Sequence, residues 1–213
     1  MISFIDPQTS AIKIPNGFYF HLTTTLYEIA VAFLLTITIG LSLGFIIGLF
    51  KFIADTYEPL IYLAYAFPGV AIYPIIIIAF GFESTSKIIF GVFLGFFPMV
   101  LSVISALRSI KPTLITVAKS FGSSKSQLFV KVILPGAAPA IFTGIRLAMG
   151  LTIIGVLFAE MAASDAGLGW IISVSTYQLE AASQYAAVLI TVIVAGAITT
   201  ILRIIERKVS FYG

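Results

Sequence analysis

The chain contains no cysteine and a single histidine, and these two facts exclude several kinds of metal and catalytic site. Without cysteine there is no disulfide framework, no thiolate metal site and no cysteine nucleophile. One histidine, His21, cannot form a zinc-type ligand cluster or a histidine-based catalytic triad. The carboxylates are scattered along the chain, so a membrane-embedded enzyme is a weak hypothesis, and no metal or catalytic site is predicted.

Charged residues are also scarce. They make up 10% of the 213 residues, whereas hydrophobic residues make up 60% and the mean hydropathy is +1.12. Soluble domains carry roughly 25% charged residues, so this chain has too few to cover a surface that faces water. We therefore expect a protein embedded in the lipid bilayer. The net charge of +3 does not indicate nucleic-acid binding, because the basic residues lie mainly at the ends of apolar runs.

The N-terminal segment, residues 1–21, lacks the parts of a secretory signal peptide. It has no basic leader followed by a short apolar core and a small-residue cleavage site. We expect the segment to be retained, to lie outside the cell on or near the membrane surface, and to place His21 at the interface.

Uncharged runs long enough to cross a membrane are the main structural signal. About 20 helical residues span roughly 30 Å of hydrocarbon. Runs of this length lie between ionisable residues at Ile29–Phe50, Pro59–Phe82, Ile88–Leu107, Ala140–Ala163 and Ala181–Leu202. The sequence therefore predicts an all-α membrane protein with five transmembrane helices in a single domain, residues 1–213.

Lysine and arginine near the ends of these runs predict the orientation, because positively charged loops favour the cytoplasm. With the N-terminus outside, the outer side keeps Lys13 and Lys87. The inner side then holds Lys51, Arg108, Lys111, Lys119, Lys125, Lys131, Arg203, Arg207 and Lys208. We therefore expect an N-terminus outside and a C-terminus in the cytoplasm.

Proline and glycine mark where the predicted spans bend or pack closely. Pro68 and Pro74 interrupt the second run, so that span is expected to be kinked or broken, and Pro98 is expected to act similarly in the third. Broken membrane helices usually line a cavity, because freed backbone groups need partners. Glycines recur every four residues from Gly40 to Gly48 and predict close helix packing, either within the subunit or at a dimer interface.

The segment between the third and fourth runs is basic and is expected to turn at a glycine. We call residues 108–139 the basic loop, which contains no Asp or Glu. Pro112 suits the first turn of a helix, where its missing N–H is harmless. Gly122 lies where a left-handed residue would end that helix. The loop is therefore predicted to begin with one short helix on the cytoplasmic side.

A second short helix is predicted after this glycine. Ser124 and Gln127 have the Ser-x-x-Gln spacing of a capping box, which marks the start of a helix. Leu128 and Phe129 contribute to an apolar face, and Pro135 should end the helix because the residue before a proline avoids helical geometry. An amphipathic helix of this kind suits a groove on a partner protein.

The spacing within the basic loop resembles the permease signature of binding-protein-dependent ABC importers. That signature is E-A-A, three residues, Gly, nine residues, Ile-x-Leu-Pro, and it reads here Thr116-Val117-Ala118, Gly122 and Val132-x-Leu134-Pro135. Later segments resemble the branch that imports nitrate, sulfonates, taurine and thiamine-precursor pyrimidines. These segments are Ile145-Arg146-Leu147-Ala148, Ala159-Glu160 and Gly167-Leu168-Gly169-Trp170. The resemblance covers nearly the whole chain.

The resemblance implies the transmembrane permease subunit of an ATP-driven importer in a bacterial-type inner membrane, with a type I (MetI-like) core and a cytoplasmic coupling helix. Its implied partners are a separate ABC ATPase, a second permease subunit in a homodimer, and an extracytoplasmic solute-binding protein. The chain has no G-x-x-x-x-G-K-[ST] phosphate loop, so ATP and Mg are assigned to the ATPase and no cofactor is expected here. The implied ATPase-coupling residues are Thr116, Ala118, Gly122, Ser123, Ser124, Gln127, Leu128, Phe129, Leu134 and Pro135.

Two departures from the family pattern alter these expectations. Thr116 and Val117 replace the Glu and the first Ala of the signature, so the ATPase contact is expected to depend more on packing around Gly122. An additional N-terminal span of the family is not predicted, because residues 1–17 are too polar and too broken to cross. Five spans are the minimal core of the implied fold.

Three ionisable residues in or beside the predicted spans are expected to have specific roles, since charge in the bilayer is costly. Glu28 opens the first span and should stabilise the positive end of its helix. Arg146 should extend to the inner headgroups or orient the basic loop. Glu160 either hydrogen-bonds the Gly167–Gly169 turn or another span, or it acts in gating or in contact with the binding protein.

Aromatic and proline residues near the kinked spans are candidates for the translocation path. They are Tyr65, Pro68, Tyr73, Phe96 and Pro98, together with Glu160. The alternative is that the aromatic residues form core or lipid contacts. No Lys or Arg lies near mid-membrane, which favours a neutral or weakly charged solute. The alternative function is a secondary transporter or channel, although the paired intramembrane charges or internal repeats typical of that class are not evident.

Overall fold

Long apolar helices form the body of the chain, as the uncharged runs predict. The computed structural model describes residues 17–209, and within that range it contains helices and no strands. In chain order the helices are α1 (Phe18–Leu49), α2 (Lys51–Tyr65), α3 (Tyr73–Phe80), α4 (Ser84–Arg108), α5 (Pro112–Ser120), α6 (Lys125–Leu128), α7 (Leu134–Ala162), α8 (Leu168–Tyr177) and α9 (Ala181–Val209). Among the described residues, four continuous helical segments are long and apolar enough to cross a membrane, and one bent pair counted as a span makes five.

The first span begins earlier than predicted. Helix α1 starts at Phe18, so the end of the predicted surface segment belongs to the helix, while residues 1–16 lie outside the described range. His21 and Glu28 are therefore inside α1, and both side chains are buried. The predictions of an interfacial His21 and of a Glu28 that opens its helix are wrong. Both polar side chains are accommodated because they contact other parts of the same chain.

The second span is broken, as its prolines predict. Helix α2 ends at Tyr65, a 3₁₀ turn covers Gly69–Ile72, and α3 continues after a bend of 80°. Pro68 lies in the break, where its missing N–H interrupts no helical hydrogen bond. Pro74 lies in the first turn of α3, a position that tolerates proline. The bend therefore follows from the first of the two prolines.

Helix α4 is the central element, since it packs against both α1 and α7. On the α1 side it contacts the glycine stripe, where a Cβ added at Gly40, Gly44 or Gly48 would overlap α4 side chains. The stripe thus packs within the subunit, one of the two predicted alternatives. Helix α4 continues past the buried Pro98, so of the predicted kink or break the break is wrong. Packing on both sides of α4 keeps the helix intact across the missing hydrogen bond.

The fourth span is longer than predicted and includes part of the basic loop. Helix α6 passes through a π-helical turn, Phe129–Ile133, into α7, giving one helical segment of 38 residues. The predicted helix end at Leu134-Pro135 is wrong, since Leu134 has helical φ and ψ angles. The wider turn accommodates Pro135, which has no N–H to donate and whose ring would meet the carbonyl of Lys131 in a regular α-helix.

The segment between α7 and α9 forms a short helix that the uncharged runs do not indicate. Helix α8 packs against α7 and α9, and its residues Leu168, Ile171 and Ile172 are buried. Its 10 residues are too few to cross a membrane. Helix α8 therefore covers the end of the bundle at which α7 finishes, opposite the basic loop from which α7 begins.

Candidate functional site

The basic loop takes its turn from local hydrogen bonds around one glycine. Helix α5 ends at Ser120, and Gly122 has a φ of +74°, in the left-handed region that glycine tolerates. The N–H of Gly122 donates to the carbonyl of Lys119 at 2.9 Å, and the N–H of Ser123 donates to that of Ala118 at 3.2 Å. These two bonds form a Schellman motif, so the predicted helix end is confirmed.

The second helix of the loop also begins as the sequence predicts. The backbone N–H of Ser124 donates to the Gln127 side chain at 2.9 Å, and the N–H of Gln127 donates to the Ser124 hydroxyl at 3.2 Å. This reciprocal pair is a capping box, which satisfies the start of α6 without other elements. The two caps together give a loop whose backbone is fixed by its own residues.

The apolar face of this second helix packs against other parts of the same chain. This differs from the sequence-based prediction, in which the face is free to enter a groove on a partner protein. The Phe129 ring packs edge-on against Phe45 of α1, with ring centroids 5.9 Å apart. Leu128 is half-buried, and Ile133 packs on a core cluster that includes Ala137. The coupling role predicted for this face therefore has little free apolar surface to act through.

Three exposed apolar residues of the loop lie on α5 and its cap, in addition to Val130 and Leu134 further along the loop. Leu114, Val117 and Phe121, which we call the α5 face, recur at spacings of three and four, and Phe121 is 87% exposed. The four lysines of the loop are also exposed, and none forms an ion pair with a described residue. Of the remaining predicted coupling residues, Thr116, Leu134 and Pro135 are exposed, whereas Ala118 and Ser123 are half-buried. The helical spacing of the α5 face was a signal available in the sequence.

Ion pairs brace the same end of the bundle. Arg108, at the end of α4, contacts Asp55 and Glu58 of α2, each at 2.6 Å. Arg146 of α7 contacts Glu206 of α9 at 3.0 Å. Arg146 therefore links two spans, and the two roles predicted for it stay predictions. Pairing is the usual arrangement for a cation on a membrane-spanning helix, because an unpaired one is costly in hydrocarbon.

Buried hydrogen bonds hold the turn between α7 and α8 at the other end of the bundle. Glu160 accepts hydrogen bonds from the Thr25 hydroxyl at 2.6 Å and from the Gly169 N–H at 2.8 Å. The Thr25 hydroxyl in turn accepts one from the Leu168 N–H at 2.8 Å. The predicted bond between Glu160 and the glycine turn is confirmed, and α1 takes part in it through Thr25.

This turn leaves no room for a side chain at its first glycine. Gly167 has a φ of +102°, and a Cβ added there would overlap the Glu160 carboxyl group. The Gly167 N–H donates to Nδ1 of His21 at 3.1 Å, and the His21 ring stacks on Trp170 with centroids 4.8 Å apart. We call His21, Thr25, Glu160 and residues 167–170 the polar cluster. It joins α1, α7 and α8.

Two further charged residues are buried beside the polar cluster. The carboxyl group of Glu28 lies next to that of Glu160. No donor among the described residues meets hydrogen-bond geometry with either Glu28 oxygen. Lys87 of α4 is also buried, and its Nζ donates to the carbonyl of Phe82 at 2.7 Å. Of the two carboxyl groups, Glu160 is therefore the one that holds the turn.

Most residues predicted to line a translocation path do not come together. Tyr73 is buried, its hydroxyl donates to the carbonyl of Ala159 at 3.0 Å, and its ring packs 4.9 Å from that of Phe90. Phe96 is half-buried against a separate core cluster, and Pro68 lies exposed in the break after α2. Tyr73 and Phe96 thus pack in or against core clusters, which agrees with the predicted alternative of core or lipid contacts.

Tyr65 and Pro98 do share a cavity. It lies between α2, α4 and α7 and has a volume of about 490 Å³. Hydroxyl groups are prominent in its lining, so we call it the hydroxyl-lined cavity. They belong to Tyr62, Tyr65, Ser102, Ser105, Ser109 and Thr143. The serines are not among the predicted path residues, although the spacing of Ser102 and Ser105 already places both on one side of a helix.

Comparison with known proteins agrees with this arrangement. Residues 20–211 match the family described as binding-protein-dependent transport system inner membrane component. The putative aliphatic sulfonates transport permease protein SsuC of Bacillus subtilis is 31% identical over 188 residues, 88% of this chain and 68% of that protein. The taurine transport system permease protein TauC of Escherichia coli is 30% identical over 201 residues, 92% of this chain and 73% of that protein.

A solved structure has the same fold. A chain of the MetNI methionine ABC transporter, in an inward-facing conformation, matches with a TM-score of 0.75 at 21% identity, over 89% of this chain and 94% of that chain. The predicted MetI-like fold is confirmed, and the alternative of a secondary transporter or channel is set aside. Because the family match extends over nearly the whole sequence, the chain belongs to the family of binding-protein-dependent transport system inner membrane components.

Proposed function

We propose that two copies of this permease form the path by which a small sulfonate-, taurine-, nitrate- or pyrimidine-like solute enters the cell. Family membership makes the chain a transport subunit of an ABC importer, with ATP hydrolysed on a partner ATPase and an external binding protein as a further partner. The relatives support the solute class, since their names specify aliphatic sulfonates, taurine, formylaminopyrimidine and nitrate.

The basic loop carries the proposed ATPase contact. Its backbone is fixed by the Schellman motif at Gly122 and the capping box at Ser124, so it can be pushed as one piece. Its exposed α5 face offers apolar contact, and its lysines, which have no acidic partner among the described residues, offer charge. ATP and Mg are held by the ATPase in this proposal, and this chain holds no cofactor. The α5 face is a better docking surface than the covered face of α6.

The proposed orientation places the N-terminus outside and the basic loop in the cytoplasm. Lys51, Arg108 and Arg203 lie at the same end of the bundle as the basic loop, which supports this orientation by the distribution of positive charge. Because the chain has no cysteine, single cysteines report exposure without background. In right-side-out vesicles an impermeant maleimide should label Asp165→Cys and not Ser126→Cys. The reverse labelling would invert the proposed orientation.

A homodimer is proposed for the assembled transporter. Exposed apolar side chains on α2 and α3, such as Leu63, Ile75 and Ile78, are available to a second copy. Oxidation of an Ile78→Cys variant in membranes should give a cross-linked dimer if this face joins two copies. A cross-link to a different permease chain in its place would show a heterodimer.

Reconstitution tests the transport proposal directly. The permease, its ATPase and its binding protein are placed in liposomes and offered taurine, ethanesulfonate, nitrate and formylaminopyrimidine. We expect at least one of these to accumulate with ATP and the binding protein present, and none to accumulate when the ATPase is left out. Accumulation without the ATPase, or no accumulation of any of the four, would contradict the proposal.

A further inference from the structure

Serine and threonine hydroxyls on the spans commonly donate to a carbonyl of their own helix. Thr36, Thr38 and Ser42 of α1 donate to the carbonyl four residues earlier, at 2.8, 2.8 and 2.7 Å. In the hydroxyl-lined cavity Thr143 does the same, to Pro139 at 3.1 Å. Because these hydroxyls already donate their proton to a backbone carbonyl, they are poor hydrogen-bond donors to a ligand.

Four hydroxyls in the same cavity have no such partner. The side-chain hydroxyls of Ser102 and Ser105 on α4, and of Tyr62 and Tyr65 on α2, form no hydrogen bond with any described residue. Each pair is spaced three residues apart, which places both members on one side of their helix, and all four line the cavity. Two neighbouring helices thus present four free O–H donors to one space of about 490 Å³.

The lining of this cavity carries no charged residue. Arg108, one turn beyond Ser105, is held by Asp55 and Glu58 and is not available to a solute. A sulfonate has acceptor oxygens and no donor, so O–H groups match it, and hydrogen bonds to an ionised acceptor are stronger than neutral ones. The lack of a fixed cation also keeps binding weak, and a transport path needs sites that the solute can leave.

We propose that the hydroxyl-lined cavity is a transient oxyanion-binding subsite on the translocation path, formed by Tyr62, Tyr65, Ser102 and Ser105. This inference rests on the proposed function, since it takes the transported solute to be a small anion. It also replaces the expectation that a path without mid-membrane Lys or Arg favours a neutral solute, because hydroxyl donors stabilise an anion without a fixed cation. The volume lies within the range of ligand pockets and admits a small sulfonate.

The test compares methanesulfonate with dimethyl sulfone, a neutral molecule of similar shape. Binding of each is measured by calorimetry on the solubilised permease–ATPase complex, without the binding protein. Two double variants remove only hydroxyls: Ser102→Ala with Ser105→Ala, and Tyr62→Phe with Tyr65→Phe. We expect the Kd for methanesulfonate to rise about tenfold in each, as for loss of hydrogen bonds to a charged group, and the Kd for dimethyl sulfone to change less than about twofold.

Matched controls use hydroxyls outside the cavity. Ser42→Ala on α1 and Tyr57→Phe on α2 should leave both the Kd for methanesulfonate and the basal ATPase activity unchanged. Unchanged methanesulfonate binding in both double variants, or none to the parent complex, would overturn the subsite. An equal loss for both probes would overturn its preference for oxyanions.

Failure of the subsite is distinguishable from failure of the proposed function. ATP-dependent uptake is measured in parallel on the complete reconstituted transporter. If the parent complex accumulates taurine, ethanesulfonate or nitrate while the double variants bind methanesulfonate normally, only the subsite is rejected. If the parent complex accumulates none of these solutes, all of which present oxyanion oxygens, the proposed transport of such solutes fails, and the subsite fails with it.

Discussion

The two ends of the helix bundle are stabilised in different ways. At the polar cluster, hydrogen bonds join residues far apart in the chain: Thr25 of α1 contacts Glu160 of α7 and Leu168 at the start of α8. In the basic loop, the bonds at Gly122 and Ser124 join residues three to five positions apart. One end is therefore tied into the bundle, whereas the backbone of the other keeps its shape locally.

This difference suits a subunit that receives force at one end. A loop held by its own caps can be moved by a partner without losing its shape, because its hydrogen bonds move with it. A glycine turn bonded to α1 and α7 cannot move alone unless those bonds break. We therefore expect the polar cluster to determine stability and the basic loop to determine coupling to the ATPase. Substitutions at the two ends should separate these properties.

The largest effect is expected from Gly167→Ala in the polar cluster. The new Cβ would need a left-handed backbone conformation and would overlap the Glu160 carboxyl group. Together these should lower the free energy of unfolding by about 3 kcal/mol, seen as a lower Tm of the solubilised subunit. Gly150→Ala is the matched control, because that helical glycine has open space where the Cβ would go. Equal Tm values for the two variants would contradict a tight turn at Gly167.

A second effect should separate the two neighbouring carboxyl groups. Both Glu160 oxygens accept bonds from donors, the Thr25 hydroxyl and the Gly169 N–H, so the amide group of Glu160→Gln must face one of them. A buried donor is then left unsatisfied, which should lower the free energy of unfolding by about 2 kcal/mol. Glu28→Gln removes no such bond and should change it by less than about 1 kcal/mol.

Fluorescence makes this comparison convenient to measure. Trp170 is the only tryptophan in the sequence, and it stacks on His21 within the polar cluster. The fluorescence of Trp170 during denaturation therefore reports the unfolding of the polar cluster in both Glu160→Gln and Glu28→Gln. A larger loss for Glu28→Gln than for Glu160→Gln would show that Glu28 holds this end, contrary to the hydrogen bonds described.

The contrast between the ends also explains what could be predicted from the sequence. The caps at Gly122 and Ser124 depend on residues a few positions away, so local spacing predicts both correctly. The partners of Thr25 and His21 lie 135 and 146 positions away, in Glu160 and Gly167. Nothing in the local pattern indicates that the start of α1 meets the end of α7. The sequence alone therefore predicts a position at the membrane interface for His21.

Proline shows the same limit within the spans. The break at Pro68 is predicted correctly, because a proline without an N–H suffices to end the helix before it. At Pro98 the flanking helices α1 and α7 keep α4 continuous, and at Pro135 a π-helical turn absorbs the ring. The hydroxyl-lined cavity is a further case, since its pairs of tyrosines and serines gain meaning only when α2 is known to lie beside α4.

In the basic loop, Gly122→Val should affect coupling to the ATPase more than the stability of the subunit. A β-branched residue at a φ of +74° is strained by about 2 kcal/mol, which should displace the Schellman bonds. Because these bonds join only residues of the loop and none of the spans, we expect a smaller fall in Tm than for Gly167→Ala, but loss of binding-protein-stimulated ATPase activity and of uptake. Gly136→Ala, in open space nearby, is the control. Normal coupled uptake by Gly122→Val would refute the loop as the ATPase contact.

The smallest effect on stability is expected from Phe121→Ala, and it sharpens the comparison within the loop itself. Phe121 is 87% exposed, so its removal should change the free energy of unfolding by less than about 0.5 kcal/mol. Phe129, which packs against Phe45, is the matched control, and Phe129→Ala should lower the free energy of unfolding by about 2 kcal/mol.

The same two variants test the ATPase contact. If the α5 face binds the ATPase, Phe121→Ala should weaken ATPase binding about tenfold, as hot-spot aromatic residues do, whereas Phe129→Ala should not. ATPase binding is measured by co-purification at matched subunit levels. If Phe129→Ala weakens it and Phe121→Ala does not, the ATPase contact lies on the face of α6, and the π-helical turn must open when the ATPase binds.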